Sequence, residues 1–137
     1  MRILGIDYGD RRTGVSVSDE LEFLANAVTT IKSADIQTVA QEIAKISVTH
    51  NAKKIVIGLP KNMDGTEGFR AKRTRELGNM LLQLLSDTEI IYYDERMTTM
   101  AAAQYMNITD FKGKKRKANI DMLAADIILQ DYLDSKR

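Results

Sequence analysis

Residues 54–60 read KIVIGLP, a short unbroken apolar run closed by the only proline of the chain. A half-exposed strand alternates apolar and polar residues, whereas a run without alternation is covered on both faces, the mark of a parallel sheet. The segment therefore predicts a central strand of an α/β sheet, and its flanks can be read against that frame.

Upstream, Val39, Ala40, Ile43 and Ala44 recur at helical spacing from Ile36, with Asp35 placed to cap the helix and Gln37 in its first turn. Before that helix, ILGIDY (3–8) and TGVSVSD (13–19) are β-favouring stretches around a Gly-Asp-Arg-Arg turn, which reads as a hairpin, and ANAVTTI (25–31) reads as a third strand. Downstream, NMDGTEG is turn-rich, and residues 74–86 carry Leu77, Met80, Leu81, Leu84 and Leu85 on one helical stripe. EIIYYDER (89–96) reads as the last strand, TTMAAAQYM as a short helix capped by Thr98 or Thr99, TDFKGKKRK as an exposed loop, and the stretch from Asn119 to about Leu133 as a final helix. The sum is an α/β fold with a five-stranded mixed sheet, antiparallel at one edge and parallel in the remainder, flanked by helices.

The length of 137 residues and hydrophobic content of 44% suit one domain spanning residues 1–137 with a core that needs no staples. There is no cysteine, no apolar run near the roughly 18 residues of a membrane span, and no signal-peptide pattern, so the expected location is the cytoplasm and no membrane partner is expected. Net charge is only +1, but the cations are clustered: Arg11 and Arg12 flank the first turn, Arg70, Lys72, Arg73 and Arg75 crowd one helix start, and Lys112, Lys114, Lys115, Arg116 and Lys117 form a run.

Ligands of open α/β sheets bind outside the carboxyl ends of the parallel strands. Asp7 ends the first strand and Glu95 follows the last, which brings both to one edge. On the final helix Asn119, Asp126, Gln130 and Asp134 share one arc, and Asp121 lies near the middle of the opposite, apolar side, where an acid needs a partner or a cation. Each has a plainer reading: Asp7 can serve the turn, Glu95 can pair with Arg96, and Asp121 can complement the helix dipole behind an Asn119 cap.

Three converging carboxylates suit a hard, oxygen-seeking cation such as Mg²⁺. Zinc is disfavoured without cysteine, and the lone His50, at a helix end near Asn51, reads as a surface or capping residue. A polyanionic substrate beside such a centre would need cations, for which Arg11, Arg12, Lys61, Arg96 and the 112–117 run are best placed. GLPKNMDGTEG, with Gly65 and Gly68, reads as a substrate-facing loop, the seven methionines as core filler, and Tyr8, Tyr92 and Tyr93 serve structure as readily as base stacking.

GIDYGDRRTGVSVSD, GLPKNMDGTEG, DERMTT and IDMLAADIILQDYL together resemble, in order and spacing, the bacterial YqgF family, also called RuvX, over nearly the whole chain. The resemblance implies a fold similar to ribonuclease H and to RuvC-type Holliday junction resolvases, and an activity in processing the 5′ end of pre-16S ribosomal RNA, with resolution of DNA junctions as the older assignment. It implies Asp7, Glu95 and Asp121 as catalytic and metal-binding acids. Resolvases of the RuvC type carry four acids, and a fourth is not evident here, Asp94 and Asp126 being the substitutes at hand.

These readings combine into a nuclease that uses Mg²⁺ or Mn²⁺ held by Asp7, Glu95 and Asp121, with Arg11, Arg12, Lys61, Arg96, Lys114, Lys115, Arg116 and Lys117 around the nucleic acid. Its expected partner is structured RNA, such as pre-16S rRNA or a ribosomal particle, or else branched DNA, and its expected state a monomer or weak homodimer. Two rivals stand beside it: an actin-like ATPase using the turn from Asp7 to Thr13 for phosphate, and a non-catalytic ribosomal or nucleic-acid binding factor.

Overall fold

A computed structural model of the chain describes residues 1–97 and 113–136, the side chains of residue 97 and of residues 113–122 excepted. Five strands, β1 (Arg2–Asp7), β2 (Arg12–Ser18), β3 (Ala25–Lys32), β4 (Ala52–Leu59) and β5 (Glu89–Asp94), form one sheet in the order β3-β2-β1-β4-β5. The first three are antiparallel neighbours, while β1, β4 and β5 run parallel. Helices α1 (Ile36–Thr49), α2 (Phe69–Leu84) and α3 (Gly113–Ser135) flank it.

KIVIGLP behaves as its composition requires. Ile55, Val56 and Ile57 are fully buried, with Ile55 and Ile57 in the core beneath α1 and α2 and Val56 in a second core with Ile3, Ile128, Leu129, Tyr132 and Leu133. Strand β4 thus lies between two layers, α1 and α2 on one face and α3 on the other. Asp35 caps α1 as expected, its carboxylate accepting from the Thr38 amide at 3.2 Å and hydroxyl at 2.7 Å. His50 is the C-cap, followed by Asn51 at φ 53°.

Three expectations need correction. Helix α2 begins at Phe69, five residues before Thr74, because the helix-favouring FRAKR segment is itself anchored: Ala71 and Thr74 are buried and extend the apolar face beyond the Leu77–Leu85 stripe. Along that stripe Leu84 is exposed. Helix α3 begins at Gly113, so Lys114, Lys115, Arg116 and Lys117 belong to its backbone and not to a loop, as their high helix propensity permits. On the polar arc of α3, Gln130 accepts from the Ala25 amide at 2.9 Å and donates to the Phe23 carbonyl at 2.9 Å, tying α3 to the β2–β3 edge. The short helix expected over TTMAAAQYM, and Lys112, lie outside the described residues.

Helix α3 runs antiparallel to β1. Its C-terminal Leu133 packs with Ile3 near the start of that strand, while Ala125 lies over the Gly5–Ser16 pair farther along. The Ser16 hydroxyl donates to the Ala125 carbonyl at 3.0 Å, and a Cβ on Gly5 would stand 2.6 Å from the Leu129 Cβ. Only glycine allows the helix to approach the sheet this closely.

Candidate active site at the carboxyl edge of the sheet

Asp7 is the last residue of β1 and pairs with Gly14 of β2. Ile3 and Gly5 face α3, so alternation puts Asp7 on the same side. The turn Tyr8–Arg11 that follows requires glycine at position 9, where a Cβ would run into the Arg12 carbonyl. Arg11 and Arg12 are exposed at this turn, beside Asp7.

Glu95 opens the single 3₁₀ turn Glu95–Met97 that ends β5. Its side chain folds back over β4: a Cβ built on Gly58 would lie 2.7 Å from a Glu95 carboxylate oxygen and 2.6 Å from the Ile128 methyl. Ile6 pairs with Ile57, so Asp7 and Gly58 are the next neighbours across β1 and β4, about 4.8 Å apart in a sheet. The Glu95 carboxylate is therefore carried inward to the strand adjoining Asp7. Both residues have partners, and neither is a dangling surface acid.

Asp121 lies on the α3 backbone one turn before Ala125, in the direction that leads along β1 toward Asp7. Its side chain is outside the described residues, as are those of Lys114, Lys115, Arg116 and Lys117. Among the described residues no group of three metal-ligating side chains assembles.

Arg96 pairs with Asp94. Its guanidinium grips Asp94, with Nε at 3.0 Å and Nη2 at 2.7 Å from Oδ2, and donates to the Met63 carbonyl at 3.4 Å. The hydrogen bonds from Arg96 hold the Asp94 carboxyl below its usual range. Asp94 is thus a clamp for Arg96, and the clamp ties the end of β5 to the β4–α2 loop.

That loop has a built conformation. Asn62 accepts from the Gly65 amide at 2.9 Å, its own amide donates to the Thr66 carbonyl at 2.8 Å, Gly65 takes φ 90°, and Lys61 bridges to Glu67, the pattern of a tight turn closed by a glycine bulge. The Asp64 carboxylate accepts from the Thr66 hydroxyl at 2.6 Å, and Glu67 receives a bidentate Arg75 at 2.6 and 2.8 Å. Lys61 stands near Glu67 and Asp94 and helps hold both carboxyls down.

The tyrosines considered for stacking serve structure. Tyr8 is buried in the core, Tyr92 lies beneath Arg75, and Tyr93 meets Tyr132 edge-on. Two features escaped the sequence reading. Gly58, interrupting a β-branched run, carried the signal of a close approach that Glu95 makes. The burial of Asp126, which the sequence offers only as a substitute for a fourth acid, had no legible signal: its Oδ1 is buried without a hydrogen-bond partner among the described residues, and burial pushes its carboxyl up to about 6.

Residues 1–135 match the family model described as "RuvX: Holliday junction resolvase". A protein of Acetivibrio thermocellus named "Putative pre-16S rRNA nuclease" is 44% identical over 137 residues, covering 99% of this chain and 97% of its own length. One of the same name from Clostridium tetani is 46% identical over 135 residues, covering 98% and 97%. Among solved structures, T. thermophilus RuvC in complex with a Holliday junction substrate superposes with a TM-score of 0.61 at 14% identity, covering 99% of this chain and 95% of that one. The fowlpox virus Holliday junction resolvase gives 0.60 at 14% identity, with 98% and 99% covered. At such identity these two structures speak for the fold, that of RuvC-type nucleases.

Proposed function

The chain belongs to the RuvX family, and we propose that it is a metal-dependent nuclease that hydrolyses phosphodiester bonds in the 5′-end processing of pre-16S rRNA. The names of its relatives support the substrate. The observation that carries the chemistry is the folding of Glu95 over Gly58 beside Asp7, a cradle that a Cβ would fill.

The donors suit a hard divalent cation. They are carboxylate oxygens, the chain has no cysteine, and its one histidine caps the far end of α1. Asp7 and Glu95, with Asp121 arriving on α3, would hold Mg²⁺ or Mn²⁺. Such an ion, when bound, lowers the pKa of a water and offsets charge on the leaving 3′ oxygen. The protein supplies the rest. Closure of α3 on Gly5 keeps the helix against β1, Gly58 lets the Glu95 carboxylate reach inward, and Arg11, Arg12 and Lys61 orient the phosphate backbone from the rim. The run 114–117 adds cations along the start of α3, one turn or more before Asp121.

The test is cleavage in Mg²⁺ or Mn²⁺ of precursor 16S RNA against a four-way DNA junction, with Asp7→Asn as control. Specific trimming of the RNA by wild type, lost in the variant, is the expected result. Preference for the junction would favour the resolvase reading, which the family description and fold support. Equal cleavage by wild type and variant would remove the site assignment.

A further inference from the structure

Arg12 and Lys32 are direct partners across the antiparallel pair β2–β3, in the regular part of the ladder beyond the irregularity at Val15–Ser16. Direct partners project from the same face, with Cβ atoms about 5 Å apart. That face is the one under α3: Ser16, two alternations along β2 from Arg12, donates to the Ala125 carbonyl, and Gly14 between them pairs with Asp7. The two cations thus share a face of the sheet with Asp7. One strand spacing and two residues of rise separate Arg12 from Asp7, about 8 Å between α-carbons, and Lys32 stands one strand farther, about 12 Å away.

Like charges set directly opposite one another cost a sheet stability. Both side chains are exposed, and among the described residues neither takes part in an ion pair. Lysine on an edge strand ordinarily guards against pairing with other chains, and Lys32 does so whatever stands opposite it. An acid at position 12 would leave that guard in place and stabilise the pair; the arginine found there does not. Two opposed cations are matched when an anion sits between them, and a phosphate backbone passing Asp7 along this face supplies one.

We propose that Arg12 and Lys32 jointly clamp one backbone phosphate of the bound strand, a neighbour of the cleaved phosphate on the β3 side of Asp7. This rests on the nucleic-acid reading given above and adds a subsite to it, so that the bound strand continues past the cleaved bond toward β3. Lys32 stands apart from the cation clusters of the sequence, and only the strand register brings it opposite Arg12.

The experiment measures binding of a short labelled RNA by fluorescence anisotropy in EDTA, where cleavage cannot interfere, over a range of salt concentrations. Lys32→Thr and Arg12→Thr keep a strand-favouring residue. Each is expected to lower the slope of log affinity against log salt by about one, because neither cation holds the phosphate alone. The double variant should lower it by about one and not by two, since both substitutions remove the same contact. Without RNA, tripolyphosphate should raise the melting temperature of wild type by more than that of Lys32→Thr. Both positions are exposed, so circular dichroism should show each variant folded. An unchanged slope in Lys32→Thr, single losses that add in the double variant, equal stabilisation of both proteins by tripolyphosphate, or no RNA binding by wild type overturns the clamp. A clamp that behaves as stated in a protein unable to cleave with Mg²⁺ or Mn²⁺ would stand and remove the nuclease reading. Cleavage by a protein whose Lys32→Thr variant keeps the full slope removes the clamp alone.

Discussion

The Glu95 carboxylate lies over the α-carbon of Gly58, in the space that any other residue's Cβ would fill. The inward reach of the last strand's acid is therefore set by a glycine on its neighbour. Gly58→Ala should push Glu95 and Ile128 away, destabilising the fold by about 1–3 kcal/mol as overpacking does. It should also weaken Mn²⁺ binding tenfold or more, read by calorimetry on protein shown to be folded. Unaltered Mn²⁺ affinity would mean that Glu95 is not a ligand.

Removal of charge at the two converging acids should separate chemistry from binding. Asp7→Asn and Glu95→Gln are each expected to lower cleavage by about a hundredfold or more, while RNA affinity stays equal or rises as the rim loses a negative charge. Single-turnover cleavage and anisotropy on the same RNA check both halves.

The grip of Arg96 on Asp94 predicts an uneven salt response around the rim. A phosphate contact removed should reduce the slope of log affinity against log salt by about one. Arg12→Ala should do so. Arg96→Ala should change the slope by less, because its charge is already matched by Asp94, and should instead loosen the 62–66 turn. Equal slope changes for both variants would mean that Arg96 releases Asp94 to bind phosphate.

Asp126 should make stability depend on pH in a specific direction. Its carboxyl is raised by burial from 3.8 to about 6, so the folded state holds the proton more tightly than the unfolded state does. This contribution is fully present below about pH 4 and is lost as pH rises through 6. Asp126→Asn should therefore stabilise the protein by about 1–2 kcal/mol at pH 7.5, allowing for solvent screening of a half-buried group, and by little at pH 4. Denaturant titrations of both proteins at the two pH values give the difference directly. A gain of the same size at pH 4 would contradict the assignment.

Most of the fold was legible because its signals are local and strong. The unalternating Ile55-Val56-Ile57 run, the Asp35 cap and the hairpin around Gly9 each state their environment in a few residues, and the sheet order follows. Helix boundaries were less legible. The starts of α2 and α3 are rich in Arg and Lys, residues that suit an exposed loop as well as a helix, so their assignment depends on the packing of Ala71 and on continuity with the apolar part of α3. At the candidate site, the strand ends put Asp7 and Glu95 at one edge, but the partner of Arg96 turned on the curl of one 3₁₀ turn, since sequence adjacency offers Glu95 as readily as Asp94. The inward face of Asp126 was hidden because a polar arc on a helix ordinarily meets water; here it meets the β2–β3 edge, which sequence alone does not place.

Helix α3 covers the face of the sheet to which Ile3, Gly5 and Val56 contribute. Strand β1 is thus completed by a helix that follows every other described element of the fold in sequence. A face closed by so distant a segment forms through non-local contacts, whereas the β1–β2 hairpin forms through local ones, so covering of Ile3 and Val56 by α3 should come late in folding.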